Sequence, residues 1–441
     1  MARDARYGAG AVMNDRSPRR FHYAWVVAAT TFVTLLCAAG VRATPSILIV
    51  PLEEAFGWSR ATISAAVSIN LLLYGLMGPF AAALMERFGI RRVVLASLTV
   101  ICVGVALTSQ MTQPWQLLLC WGVLVGLGTG TTATVLGATV VSRWFHHRRG
   151  LVMGLLTAAT ATGQLIFLPV LASLVQRKGW QAVPTTVAWV LACVIPLVAF
   201  TMRDRPADVG LRAYGAPADG DEPPHPKRSP LHNALSVLKK GSRSRDFWLL
   251  FASFFVCGAT TNGLVGTHLV PACMDHGIPE VRAAGLLALM GVFDLIGTTA
   301  SGWLSDRRDS RWLLFWYYGL RGLSLLFLPY ALEMSEGALA VFAIFYGLDW
   351  IATVPPTMKL TTDVFGAQDA PVAFGWIFAG HQIGASFGAL TAGIIRTSTA
   401  TYTLAFLGAG AFCLVASVLV LRIGRWRTPV TGTVSGVASG A

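Results

Sequence analysis

Four formal charges stand inside long apolar stretches: Arg42, Asp294, Arg321 and Asp349. An ionisable side chain at the centre of a bilayer costs about 2.5–3.5 kcal/mol, so each marks either a partner or a function. Two are positive and two negative, which makes pairing inside a helical bundle plausible. Arg42 lies one turn before Pro45. A guanidinium there can grip a carboxylate with two parallel hydrogen bonds; the other reading is an Arg that snorkels or is structurally paired. Asp294, in Phe293-Asp294-Leu295, and Asp349, in Gly347-Leu348-Asp349-Trp350, are candidate proton-coupling groups. The rival for Asp294 is a permanent ion pair, and for Asp349 a structural pair with Arg321, the reading favoured for Arg321. Pro355-Pro356 should break the helix that carries Asp349. Asn70, Tyr74, Gln164, Asn262 and His381 are polar groups that can line a substrate cavity, although a lone His is more often a hydrogen-bonded core residue. No His, Cys or Asp cluster has metal-ligand spacing, and no Lys follows a Gly-rich turn ahead of Ser or Thr. No metal or other cofactor is expected, and no nucleophile and base stand at catalytic spacing.

The elements that must position these residues follow from composition. The chain has 441 residues, 54% hydrophobic and 12% charged, with mean hydropathy +0.61. Soluble domains carry about 25% charged residues. Twelve stretches approach the ~20 apolar residues needed to cross a membrane: 23–50, 60–84, 93–110, 116–141, 150–175, 184–202, 246–271, 283–304, 312–331, 338–360, 372–395 and 402–423. This excludes a secreted domain, a cytosolic enzyme and a disordered tail. In lipid every backbone polar group must be satisfied within its own segment, so the expectation is an all-α membrane protein of twelve transmembrane helices.

Charge then sets topology. The net charge of +13 would suggest nucleic acid in a soluble protein, but here the basic residues sit between spans. With the N-terminus inside, 27 Lys and Arg fall on the cytoplasmic side and five on the other, a strong positive-inside bias. Both termini are expected in the cytoplasm, with no cleavable signal and no nucleic-acid partner. The Pro-rich segment 203–245 reads as a cytoplasmic linker with one short amphipathic helix near 231–240. It separates two six-helix bundles, 23–202 and 246–423, flanked by cytoplasmic tails at 1–22 and 424–441. Equal halves suggest an internal duplication with substrate bound between two rocking bundles. The seven cysteines contain no CxxC, and read as small buried hydrophobes.

Two loops at matching places in the halves each place an acid beside a basic cluster. One runs Ala82-Ala-Leu-Met-Glu86-Arg87-Phe-Gly89-Ile-Arg91-Arg92; the other runs Gly302-Trp-Leu-Ser-Asp306-Arg307-Arg308-Asp-Ser-Arg311. The acid can accept from the turn's own arginines or from a helix N-terminus, forming a latch. The pair resembles the loop signature of the major facilitator superfamily, G-x-x-x-D-R-x-G-R-R, with Ala82 for Gly, Glu86 for Asp, and a departure after Arg307. By that resemblance Glu86, Arg87, Asp306 and Arg307 are gating residues.

A narrower resemblance is to the monocarboxylate-porter branch. It rests on Tyr23-Ala-Trp25-Val26-Val27, on Phe56-Gly57-Trp58-Ser59-Arg60, and on Trp144-Phe145-His-His-Arg148-Arg149-Gly150 followed by Gly154, Gly163 and Pro169. The resemblance implies a cavity lined by spans 1, 4, 7 and 10. It also implies a span 8 Asp, matched by Asp294, paired with an Arg four residues on, where this chain has Thr298. The branch's span 1 Lys is absent, Ser46 following Pro45, which leaves Arg42 to supply the cation. The expectation is a secondary transporter of the cell inner membrane. It moves a small organic anion, a monocarboxylate, together with a proton by alternating access, and works as a monomer in the lipid bilayer. The rival on the same fold is an efflux pump for amphipathic compounds. A multi-pass enzyme or receptor would need a catalytic constellation or an added soluble domain, and the linker is too short to supply one.

Overall fold

The computed structural model describes residues 22–216 and 230–424. The described residues are helical apart from turns, loops and one isolated bridge between Phe145 and Tyr214. In chain order the helices are α1 (Ala24–Phe56), α2 (Arg60–Phe88), α3 (Ile90–Thr108), α4 (Pro114–Trp144), α5 (Arg149–Lys178) and α6 (Ala182–Thr201). Then come α7 (Pro230–Gly241), α8 (Arg245–Asp275), α9 (Glu280–Ser305), α10 (Ser310–Met334), α11 (Glu336–Asp349), α12 (Val354–Thr399) and α13 (Thr403–Val420). Among the described residues nine stretches are long and apolar enough to cross a membrane. The remaining expected spans, 150–175, 312–331 and 372–395, lie in α5, α10 and the second part of α12.

Helix ends follow local chemistry. The α1 helix runs through Pro45 and Pro51 to Phe56, six residues past the expected end, and stops where Gly57 turns left-handed at φ 66°. Ser59 then caps α2 by accepting from the Thr62 N–H. The break expected of the proline pair at 355–356 is present, a few residues upstream of it. The helix unwinds just upstream, at 350–353, and α12 restarts at Val354 with the prolines in its first turn, where the missing N–H groups cost least. A second interruption falls at Gly366 (φ 79°). Two π-helical segments, Leu118–Val125 in α4 and Ala259–Val265 in α8, widen the turns of those helices.

Packing repeats between the halves. The α1 helix packs on α5 and α3 on α6; likewise α8 packs on α12 and α10 on α13. The most extensive contacts across the halves are α2 along α12 and α5 along α9, and α1 also meets the end of α8. Close approach is bought with glycine: a Cβ on Gly258 would collide with the His381 carbonyl, and one on Gly297 with that of Leu348. Large apolar side chains point outward, among them Trp189, Phe200, Trp316 and Phe412. In water such a surface would aggregate; against lipid tails it is the expected one.

The aromatic motifs turn out to be packing devices. Trp25 meets Phe145 and Tyr214 edge-on at 5.3 and 5.8 Å, and Tyr214 N–H donates to Trp144 O (2.8 Å). The start of the linker is thereby tied to α1 and to the end of α4. On the opposite face Phe56 stacks on Trp58 and meets Trp180 edge-on. The short helix expected near 231–240 is α7, and Trp376 of α12 donates its indole N–H to Ala234 O on it. Of the cysteines, Cys193 is an exception to the buried reading, since it is exposed on α6, while Cys273 is fully buried.

Candidate functional site

Arg42 projects from α1 over the Tyr74 ring of α2, 4.2 Å from its centre, and donates to the Tyr74 hydroxyl (3.1 Å). Among the described residues this is its one hydrogen bond, and no carboxylate pairs with it. It lines a pocket between α1, α2, α4 and α5, with Leu35, Thr129, Thr132, Met153 and Leu156 in the walls. The pocket is narrow and open at one side. The guanidinium thus stands among mostly apolar walls with four of its N–H donors uncommitted among the described residues.

The other three intramembrane charges gather at the unwound turn 350–353. Arg321 is fully buried on α10. Its Nε donates to Asp349 Oδ2 (2.6 Å), NH2 to the carbonyls of Asp349 (2.6 Å) and Trp350 (3.3 Å), and NH1 to Cys257 Sγ (3.0 Å). Ser301 donates to Ala352 O. Asp294 accepts from the Ile351 N–H (2.9 Å) and from the Thr298 hydroxyl (2.8 Å). A broken helix leaves backbone groups without partners, and these three side chains supply them. The balance of two positive and two negative charges therefore does not resolve into two pairs. Arg321 and Asp349 pair, Asp294 meets only neutral donors, and Arg42 stands apart in its own pocket. Asp349, expected as a proton-coupling group, is the partner of Arg321; its Oδ1 is buried with no partner among the described residues.

The remaining polar candidates separate. Tyr74 is in the pocket wall. Asn70 is not: its amide donates to Trp121 O (2.8 Å) and ties α2 to the π-helical part of α4. The side chain of Gln164 lies outside the described residues. Asn262 sits in the π-helical segment of α8, half-buried, its carbonyl accepting from Thr267. His381 is buried on α12, stacked against Phe378 and packed on Phe254, with Nδ1 unpartnered among the described residues, as is Gln382 Oε1 beside it.

The two signature loops differ from the expected latch. Glu86 and Asp306 are exposed, and among the described residues neither forms an ion pair. The acid that meets the start of α3 is Asp204, which accepts from the Arg91 N–H (2.8 Å) and nestles against Gly89, where a Cβ would block it. Arg87 lies over the Phe88 ring and Arg307 over the Trp303 ring. In the second loop Asp309 pairs with Arg311 and caps α10; these hydrogen bonds hold the Asp309 carboxyl below the ordinary carboxylate range. Lys359 of α12 donates to the Ser305 carbonyl.

The face opposite these loops, the far face, carries a cluster that spacing in the sequence does not reveal. Arg60, at the first position of the expected span 60–84, is 3% exposed. Its Nε donates to Glu53 (2.7 Å), and NH1 and NH2 donate to the two oxygens of Asp275 (2.8 and 2.6 Å). Arg396 shares Asp275, and Tyr402 accepts from Arg60 NH1 (3.1 Å). Around it Ser68 and Ser386 meet at 2.7 Å and the Ala61 N–H donates to Thr397. Arg60 comes from the N-terminal half, Asp275 and Tyr402 from the C-terminal half, so the cluster closes that face. The one sequence signal was Arg60 at the end of the Phe56–Arg60 motif.

Comparison with known proteins agrees with this architecture. The chain is 28% identical over 408 residues to monocarboxylate transporter 13 of Rattus norvegicus, covering 91% of this chain and 89% of that one. It is 26% identical to monocarboxylate transporter 11 of Homo sapiens, with 91% and 83% covered. It is 26% identical over 400 residues to the uncharacterized MFS-type transporter YcxA of Bacillus subtilis (strain 168), with 86% and 90% covered. A crystal structure of a bacterial homolog of the human lysosomal transporter Spinster, inward-facing and unoccupied, shares the fold. Its TM-score is 0.67 at 15% identity, over 90% of this chain and 95% of that one. The Major Facilitator Superfamily model matches residues 30–389 and again 275–439. With membrane-length helices packed the same way in each half, and a match over most of its length, the chain belongs to the major facilitator superfamily, a family of transporters rather than enzymes.

Proposed function

We propose that this chain carries a small organic anion, a monocarboxylate, across the cell inner membrane together with a proton. In this reading twelve spans form two six-helix bundles, 23–202 and 246–423, that rock about a central site. Both termini and the linker 203–245 lie in the cytoplasm, and the chain acts as a monomer. The basic loops then face the cytoplasm, and the Arg60 cluster closes the periplasmic side. The observation that carries the reading is Arg42, a guanidinium without a carboxylate among the described residues, in the wall of an apolar pocket. The similarity to proteins named monocarboxylate transporters supports it.

The mechanism follows from where the charges stand. Arg42 and the Tyr74 hydroxyl orient the carboxylate, and the apolar walls accept its short carbon chain. An anion that enters alone leaves the membrane with net charge. Asp294 is the carboxyl without a cationic partner, held by a hydroxyl and an amide N–H, and it takes the accompanying proton. Asp294 also caps the unwound turn between α11 and α12, so a change in its protonation reaches the helix that packs on α2 and α8. Asp349, neutralised by Arg321, keeps that turn in place. Anion and proton together cross without net charge, driven by the pH gradient.

The apolar lining of the pocket favours a second reading, efflux of amphipathic compounds, in which Arg42 is dispensable. Proteoliposomes separate the two. A pH jump should drive accumulation of one labelled monocarboxylate from a panel, and both Arg42→Ala and Asp294→Asn should abolish it. If no acid moves while a lipophilic dye is extruded, efflux replaces anion transport. If acids move equally in both variants, the site assignment is wrong.

A further inference from the structure

Deep in the far-face closure lies a histidine with no part in the scheme above. His268 of α8 is fully buried. Its Nε2 is 2.9 Å from the Ala389 carbonyl and its Nδ1 is 3.1 Å from the Tyr402 hydroxyl. A carbonyl only accepts, so Nε2 carries the hydrogen and Nδ1 is the acceptor in a neutral ring. The Tyr402 O–H therefore donates to Nδ1, while its oxygen accepts from Arg60 NH1 (3.1 Å). The result is a one-way chain, Arg60 to Tyr402 to His268 to Ala389 O, in which every donor has one acceptor. Arg60 belongs to the N-terminal half and the other members to the C-terminal half, so the chain runs across the closure.

A proton added to Nδ1 breaks this order. The ring then has two donors, and the Tyr402 hydroxyl hydrogen loses its acceptor in a dry site. The new positive charge faces Arg60 of α2 through the Tyr402 hydroxyl, with Arg396 of α12 close by. The carboxylate within reach on its own helix, Asp275, already has both oxygens taken by Arg60 and Arg396. Glu53 of α1 is bonded to Arg60, and Glu280 at the head of α9 is not hydrogen-bonded to the ring. Among the described residues no carboxylate is hydrogen-bonded to the ring to neutralise an imidazolium.

We propose that His268 is a proton-binding site whose occupancy opposes closure of the far face. The closed arrangement accepts only the neutral ring, and the protonated ring is compatible only with an opened face that admits water. Acid therefore draws the population toward the open form, by selection rather than by prying the closed form apart. A solvated imidazole titrates near pH ~6.5, so each further unit of acid raises the open-to-closed ratio by up to about tenfold. The inference rests on the alternating-access reading but not on the substrate or on Arg42.

The test reads distance and needs no substrate. Spin labels at Ala55→Cys and Ser398→Cys, both exposed on the far face and in different halves, are placed in a chain with Cys193→Ser. The protein is studied in lipid nanodiscs by pulsed dipolar spectroscopy from pH 8 to pH 5. The long-distance population should grow on acidification in the parent chain. It should stay small at both pH values in His268→Gln, whose amide can donate to Ala389 O and accept from Tyr402 without titrating. Tyr402→Phe covers the case in which the Gln variant does not fold: with the hydroxyl gone, the far face should open already at pH 8 and the pH step should shrink. The proposal is overturned if the parent shows no pH-dependent change, or if His268→Gln or Tyr402→Phe keeps the parent's pH profile. Failure of monocarboxylate uptake with an intact, His268-dependent opening would refute the substrate reading alone.

Discussion

Replacing Arg321 tests whether its guanidinium serves mainly the Asp349 carboxylate or the broken helix. Arg321→Met keeps most of the stem but removes every donor. The Asp349 carboxylate then stays buried without its partner, and losing one member of a buried pair costs about 3–5 kcal/mol. A simple ion pair predicts rescue by neutralising the other side, since apolar replacements of whole buried pairs are often neutral or stabilising. Here the geometry forbids that. NH2 also serves the carbonyls of Asp349 and Trp350, which stay in place whatever side chain stands at 349. Each buried backbone acceptor left without a donor costs about 1–3 kcal/mol. Arg321→Met with Asp349→Leu should therefore recover only part of the loss and remain at least about 2 kcal/mol below the parent. Unfolding in mixed dodecylmaltoside and SDS micelles, followed by tryptophan fluorescence, measures the three variants against the parent. Full recovery in the double variant would refute the capping role. A loss below about 1 kcal/mol in Arg321→Met alone would refute the buried pair itself.

Two further outcomes follow from the same geometry. Ser68→Cys with Ser386→Cys replaces hydroxyls that meet at 2.7 Å across α2 and α12; oxidation should lock the far face and stop uptake, and a reductant should restore it. Uptake unchanged after complete crosslinking, read by mass spectrometry, would show that this contact need not open. Asp309→Asn should cost no more than about 0.5 kcal/mol at neutral pH, because the Arg311 pair is solvent-exposed and screened. The carboxyl is held below its ordinary value in the folded chain, so its contribution is present above pH ~3.9 and fades as acid protonates it. A stability gap that did not narrow at all as the pH fell well below the ordinary carboxylate range would mean that the effect is not electrostatic.

The helices were legible because lipid makes one demand that sequence states openly, a long apolar run with its backbone bonds inside it. The 350–353 break was half legible. Pro355 and Pro356 announced an interruption, but a proline is harmless in a helix's first turn, so the break fell where Arg321, Ser301 and Asp294 had donors and acceptors to offer. Those three come from α10 and α9, tens of residues away, and nothing in local spacing links them to residue 350. The same reason hid the far-face closure. Arg60 stands at the first position of α2, and counting by sidedness treats a charge at a span's end as a topological marker. Only the fold brings Asp275, Tyr402 and Arg396 to it across more than 200 residues. His268 was hidden twice over, by an apolar neighbourhood and by partners in α12 and at the head of α13. Charges opposite each other along one helix can be read from spacing. Charges that close a gate between two halves cannot, since each half must carry an incomplete set for the gate to open at all.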